Sequence, residues 1–379
     1  MPWSDLVGHE RVVSMLRRAL AEDRLHHALL LHGPVGVGKA TLARLFTQAL
    51  LCVAPGQDGP CGACGACRRV TGEVHPDLSV VRLEESTSTG RLRQEIVIEQ
   101  IRDLSRFLQF RPLEGARRIA IVDPADRMNP AAANAFLKTL EEPPSSSLIL
   151  LITSMPASLL PTIRSRCQPV PLGRLPREAV EEALRRAGHD GRDARLASSL
   201  TDGAYGRALA LLGPGEEGTG EKKGETVSPL ERFRQRRDRV LEALTAVAGR
   251  TDGAGTFVVK VAETFSPKEP EEFLPNLDVA AALLRDALTA SCDGGEPGAG
   301  ADVPERIAEL GRRLTPERAA AAVAVAERIR GDLRLNVSRL LAIEFLLSEL
   351  VSPAPRRGGA PGRPSPAGAR AESGRVPSE

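Results

Sequence analysis

One stretch constrains the fold of this chain more than any other: HALLLHGPVGVGKATL, from His27 to Leu42. A short apolar run leads into a glycine-rich loop, and ATLARLFTQALLC, from Ala40 to Cys52, continues it with helical periodicity. Strand, glycine loop and helix in that order point backbone N–H groups and a helix N-terminus at one place, which suits a phosphate. Gly33, Gly36, Gly38 and Lys39 satisfy the G-x-x-x-x-G-K part of the phosphate-loop pattern. Lys39 is expected to aim its ammonium at the β- and γ-phosphates. The next position ordinarily carries Ser or Thr, whose hydroxyl binds Mg²⁺. Here it is Ala40. Thr41 follows, but one helical residue turns it by about 100°, which makes it a poor substitute.

The surrounding pattern extends this unit into an α/β domain. HERVVSMLRRALAE (His9–Glu22), IVIEQIRDLSRFLQF (Ile96–Phe110) and NPAAANAFLKTLEE (Asn129–Glu142) have helical periodicity. DLSVVRLE (Asp77–Glu84), RRIAIVDP (Arg117–Pro124) and SLILLITS (Ser147–Ser154) read as strands. Such alternation predicts a parallel sheet covered on both faces. From Leu172 the pattern is helical only. The expected organisation is a nucleotide-binding-like domain over 1–171, a small helical domain over 172–212, a Gly-rich charged linker over 213–229, an all-helical block over 230–352 and a disordered Pro/Gly/Arg-rich tail over 353–379. A chain of 379 residues has room for two or three such domains. The net charge of +2 gives no electrostatic case for tight nucleic-acid binding, and 3% aromatics leaves no base-stacking platform in view. No basic-then-apolar segment opens the sequence and no apolar run reaches about 18 residues. A cytoplasmic protein without a membrane segment is expected.

In RRIAIVDPADRMN an apolar strand ends in Asp123, where an ATPase places the carboxylate that organises its metal. An acidic residue that polarises the attacking water normally follows, but here the position is Pro124, which offers no base. Asp126 is expected to face away and to cap a turn. With the hydroxyl and the base both missing, hydrolysis in this chain's own site is expected to be absent or negligible. ATP or ADP binding stays open through Lys39 and the loop backbone, whereas the loss at Ala40 argues against Mg²⁺.

Cys52, Cys61, Cys64 and Cys67 follow the spacing C-x8-C-x2-C-x2-C, and Gly62 and Gly65 permit tight knuckles. Four sulfurs with such gaps suit a closed, structural Zn²⁺ site. An iron–sulfur cluster is the competing reading, and free thiols are the plain one. His26, His27, His32 and His75 show no ligand spacing and read as structural; Cys167 and Cys292 have no partners in sequence. By pattern alone, Arg164 and Arg166 in LLPTIRSRCQPV are solvated surface arginines.

These elements together resemble the bacterial DNA polymerase III clamp-loader subunits of the AAA+ class. The likeness runs through LVGHERVV, the phosphate loop, the four cysteines, HPDL (His75–Leu78), EQIRDL (Glu99–Leu104), AANAFLKTLEEPP (Ala132–Pro144), LLPTIRSRCQ (Leu159–Gln168) and GAYGRAL (Gly203–Leu209). It continues more weakly in RLNVSRLLAIEFLL (Arg334–Leu347). In that family the gamma/tau motors keep Ser or Thr after the lysine and Asp-Glu at the strand end; Ala40 and Pro124 look like the delta-prime branch instead. The resemblance implies that Ser165-Arg166-Cys167 is a trans-acting motif. Arg166 would be a finger reaching the ATP site of a neighbouring gamma/tau subunit. Arg207 would occupy the second sensor position, with Thr153 and Ser154 at the first; neither sensor is expected to act on hydrolysis here.

The resemblance further implies a five-subunit ring with gamma/tau and delta as neighbours. That ring would open a sliding clamp and place it on primed DNA, with the C-terminal helical block as the collar. No independent catalysis is implied, only membership of the DNA-directed polymerase holoenzyme. The competing readings are a gamma/tau-type motor ATPase and an AAA+ nucleotide switch outside replication.

Overall fold

The computed structural model describes residues 3, 6–56, 58–84, 93–213, 227–248, 250, 254–265, 272–292, 295, 297–332 and 338–351. Most of the expected linker and all of the expected tail lie outside the described residues. The chain divides into two units, one of residues 1–238 and 296–306, the other of 239–295 and 307–379.

The first unit is built on a five-stranded parallel sheet. Its strands are β1 (Ala28–His32), β2 (Leu78–Val81), β3 (Arg118–Val122), β4 (Ser147–Thr153) and β5 (Gln168–Pro171), in the order β2-β3-β4-β1-β5. Every residue of β3 and β4 is buried, as continuous apolar runs require when both faces are covered. Alternate side chains go to opposite faces. Leu29, Leu31, Ile121 and Leu150 pack with Leu16 of α1 (Glu10–Ala21) and with Leu42, Leu45 and Phe46 of α2 (Lys39–Leu51). Ala28, Leu30, Ala120 and Leu151 pack with Ile101 and Leu104 of α4 (Ile98–Gln109) and with Phe136 and Leu140 of α5 (Pro130–Glu141). The short helix α3 (Gly65–Thr71) lies in the cysteine-rich insert, and α6 (Pro161–Arg164) precedes β5.

Local signals fix the helix starts that matter to the site. Asn129 caps α5, its side chain accepting the Ala132 N–H at 2.8 Å, and Pro130 occupies the first helical position. The Gln100 side chain accepts the Val97 N–H at 3.0 Å at the start of α4. Beyond β5, α7 (Arg177–Arg186), α8 (Gly191–Thr201) and α9 (Tyr205–Leu212) share a small apolar core of Leu175, Val180, Leu184, Ala194, Ala197 and Ala208. These helices group with the sheet in the first unit.

The boundary between the units falls inside α10 (Pro229–Val247) and again inside α13 (Pro304–Arg313). The second unit is helical, with α11 (Ala254–Phe265), α12 (Phe273–Ser291), α14 (Pro316–Asp332) and α15 (Arg339–Val351). Its core includes Leu277, Leu283, Leu284, Ala322, Ile343, Leu346 and Leu350, while Leu341 and Phe345 of α15 stay exposed. Among the described residues no helix is long and apolar enough to cross a membrane.

Candidate functional site

The C-terminal ends of β1, β3 and β4 lie side by side in the sheet, so the loops leaving these strands converge on one cleft. The loop after β1 holds Gly36 and Gly38 at φ of 83° and 103°, a region that disfavours side chains, and α2 begins at Lys39. Leu6 packs against Gly38, and the His9 ring nitrogen Nε2 donates to the Val37 carbonyl at 2.8 Å. The loop is therefore shaped by tertiary contacts as well as by its glycines.

The cleft has a volume of about 530 Å³, and its lining includes Lys39, Ala40, Thr41, Asp123, Asp126 and Thr153. Lys39 is buried; its Nζ donates to the carbonyls of Gly33 and Pro34, each at 2.7 Å. Burial pushes this ammonium below the ordinary lysine range, against the pull of Asp123 and Asp126. Burial likewise raises the Asp123 carboxyl, with Arg82 and Lys39 acting the other way. Both shifts have the same leading cause: burial strips hydration from each group in its charged form. An anion placed against Lys39 would act against that effect of burial and favour the charged form, as a phosphate site requires.

Asp126 departs from expectation. It sits in a single 3₁₀ turn, Ala125–Arg127, and lines the cleft rather than facing away. Its carboxylate accepts the Thr153 hydroxyl, whose oxygen in turn accepts the Met155 N–H at 2.9 Å. The turn after Pro124 brings the carboxylate back over the end of β4. Pro124 also lines the cleft. Arg207 is brought to the loop by α9: the Gly206 N–H donates to the Gly36 carbonyl at 2.8 Å. A Cβ added at Gly36 would come within 2.6 Å of Arg207 Cγ. Glycine at that position is thus required by close approach as well as by φ.

The four cysteines also converge. α2 carries the phosphate loop at its N-terminus and Cys52 as the C-cap at its other end. All four sulfurs lie within 4.8 Å of one another, with Cys52–Cys61 at 3.6 Å and Cys52–Cys64 at 4.0 Å. Tetrahedral sulfurs about 2.3 Å from one ion would be about 3.8 Å apart, so the set fits a single metal ion. Backbone N–H groups of Cys61, Cys64 and Cys67 point at the sulfurs of Cys52, Cys61 and Cys64 at 3.4, 3.3 and 3.4 Å. Gln48 of α2 ties the module to the domain by donating to the Cys67 carbonyl at 3.1 Å.

Arg166 lies elsewhere. It follows α6 and is not among the described residues that line the cleft. Its Nη2 is 2.7 Å from the Glu141 carboxylate and its Nη1 donates to the Thr162 carbonyl at 3.0 Å. Burial pushes the thiol of neighbouring Cys167 up to about 12, which marks it as an unreactive apolar anchor. Arg164 is exposed. Of His26, His27, His32 and His75, three bond to backbone: His26 Nδ1 donates to the Ala28 carbonyl at 2.8 Å, His27 Nε2 donates to the Leu140 carbonyl at 3.2 Å, and His75 Nδ1 accepts the Asp77 N–H at 3.1 Å.

Sequence reasoning passed over Asp77. It is fully buried and accepts N–H bonds from Leu113, Glu114 and Gly115 at 2.7, 2.7 and 2.8 Å, pinning the loop before β3 to the start of β2. Burial alone would raise its pKa, but those donors and Arg118 outweigh it and hold the carboxyl below its usual range. Only its place in HPDL marked it.

The chain is similar in part to known proteins. Residues 8–176 match the family described as DNA polymerase III, delta subunit. The subunit delta' of Pseudomonas aeruginosa is 42% identical over 141 residues, covering 37% of this chain and 41% of that one. The Bacillus subtilis subunit delta' is 34% identical over 192 residues, covering 51% and 56%. The subunit tau of Salmonella typhimurium is 29% identical over 346 residues, covering 89% and 50%. The chain thus spans about half the length of these relatives. A solved gamma subunit-related protein of DNA polymerase III from Thermotoga maritima aligns over 89% of this chain and 98% of its own, at 19% identity and a TM-score of 0.34. Residues 8–176, which carry the phosphate loop, are thus similar to the delta' and tau subunits of DNA polymerase III.

Proposed function

We propose that this chain is a delta-prime-type clamp-loader subunit that does not hydrolyse ATP itself and donates Arg166 to the ATP site of a neighbouring gamma/tau subunit. One observation carries the reading. A formed phosphate-loop cleft has Ala40 where the metal-binding hydroxyl belongs and Pro124 where the base belongs. Phosphoryl transfer depends on positioned charge, and both missing groups supply it. Lys39, the loop backbone and Arg207 still suit ATP or ADP, with Mg²⁺ weakly held. Within an AAA+ architecture, residues 1–171 would be the nucleotide-binding-like domain, 172–212 the lid and 230–352 the collar. Exposed Leu341 and Phe345 on α15 favour subunit contacts there.

The work of the complex would be loading a sliding clamp onto primed DNA in the cytoplasm, in a ring of five that includes delta and gamma/tau. Cys52, Cys61, Cys64 and Cys67 would hold a structural Zn²⁺, with no open position for catalysis. One zinc per chain by elemental analysis, in a colourless protein, is expected; a coloured protein containing iron would replace zinc with a cluster.

A second reading, a gamma/tau-type motor, draws on the match to tau over 89% of the chain. Single-turnover ATP hydrolysis by the isolated full chain with Mg²⁺ separates the two. No turnover is expected, and appreciable turnover would make this a motor subunit.

A further inference from the structure

The sequence motif that contributes Arg166 leaves unexplained why the guanidinium is already held, and by what. We infer that Glu141 is a positioning residue for Arg166, fixing the direction in which it leaves the surface; this rests on the reading of Arg166 as a trans-acting group.

Glu141 is the last residue of α5, and the helix behind it is anchored by fully buried Phe136 and Leu140. Its carboxylate therefore starts from a rigid base. A carboxylate in the last helical turn opposes the helix dipole, and Glu142 follows it directly. Lys138 in the same turn supplies the cation that the dipole favours, and the Glu141 carboxylate is directed at Arg166 instead. The ion pair itself is half exposed, with 34% of the Arg166 and 49% of the Glu141 side chain accessible. Pairs in such surroundings add little to stability. What the pair does change is orientation. One N–H of Nη2 meets Glu141 and one of Nη1 meets the Thr162 carbonyl at 3.0 Å. The second N–H of Nη1 lies 3.5 Å from the Ser165 hydroxyl, so of the five guanidinium donors two, on Nε and Nη2, remain for a phosphate group of a neighbour. Two anchors on one planar group fix its plane, removing most of the rotamer freedom that a free arginine would lose on engagement.

The test uses the loader reconstituted from this full chain with gamma/tau and delta. Any further motor copies are disabled at their phosphate-loop lysine, so that turnover reports the site facing Arg166. Glu141→Gln keeps the shape and removes the charge. The expected result is about a tenfold fall in kcat at unchanged KM for ATP, because the group must be re-ordered in each transition state. Glu141→Asp, shorter by one methylene, should recover part of the loss. In an Arg166→Ala background, Glu141→Gln should have no further effect. Normal kcat for Glu141→Gln beside a defective Arg166→Ala overturns the positioning role and leaves the trans reading standing. A loss that simply adds to that of Arg166→Ala also overturns it. Normal turnover with Arg166→Ala removes both together.

Discussion

The phosphate-loop cleft and the Arg166 surface are incomplete in opposite ways. The cleft has its scaffold, with positive-φ glycines, a buried lysine and three strand ends in register, yet it lacks two of the side chains that phosphoryl transfer needs. Arg166 is a complete chemical group, charged and pre-oriented, on a surface outside that cleft. Backbone architecture survives the loss of single side chains because core packing maintains it: Leu42, Leu45 and Phe46 of α2 are fully buried whatever stands at position 40. Chemistry resides in single atoms and is lost with them.

If that contrast is right, the two regions respond oppositely to substitution. Arg166→Ala should lower ATP turnover at the neighbouring motor site roughly a thousandfold in the reconstituted complex. The ATP affinity of the isolated chain should not change. A shift in that affinity would mean that Arg166 serves its own cleft. Lys39→Ala should do the reverse. Losing a charge-assisted bond should weaken ATP binding to the isolated chain by about tenfold to a hundredfold. Turnover of the complex should stay within about twofold, as the proposed loss of hydrolysis at this site requires; equilibrium titration and steady-state assay are the paired measurements.

Asp77 separates stability from either function. Three backbone donors meet its carboxylate, so Asp77→Asn should cost about 3 kcal/mol in chemical denaturation while sparing both activities at permissive temperature. The sign of its pH dependence comes from the depressed pKa. The folded value lies below the ordinary 3.8, so the stabilisation is complete above 3.8 and is lost as pH falls through the folded value. The Asn variant should show a flatter stability curve below about pH 4. An unchanged slope would mean that another acid governs the acid limb.

Legibility in the sequence tracks the range of the interactions. β1, β3 and β4 were readable because continuous apolar runs leave few alternatives. β5 was not: Gln168–Pro171 is mostly exposed, contains two prolines and is a strand only because it pairs at the sheet edge with Leu29–His32. α3 was hidden in the cysteine insert, where its cap is the Cys64 sulfur accepting the Cys67 N–H. The cysteines and glycines were visible as spacings. The three-residue offset of Asp126 from Asp123 suggests that it faces away, and the 3₁₀ turn reverses that. The bonds of Asp77 to Leu113–Gly115, of Glu141 to Arg166 and of Gly206 to Gly36 join residues that no periodicity links.

The smallest expected effect is the most discriminating one inside the cleft. Ala40 lies in the first turn of α2 and lines the cavity, so Ala40→Ser places a hydroxyl there without disturbing the core. If the scaffold is intact and only the donor is missing, the variant should bind ATP about threefold to tenfold more tightly in the presence of Mg²⁺ than in its absence. The parent chain should show little difference between the two conditions. Hydrolysis should still not appear, because Pro124 supplies no base. Turnover by Ala40→Ser would break the comparison at a definite place: Asp126, already in the cleft and bonded to Thr153, would then be acting as the base that the strand end lacks. Adding Asp126→Asn to that variant, and finding the turnover lost, would identify it.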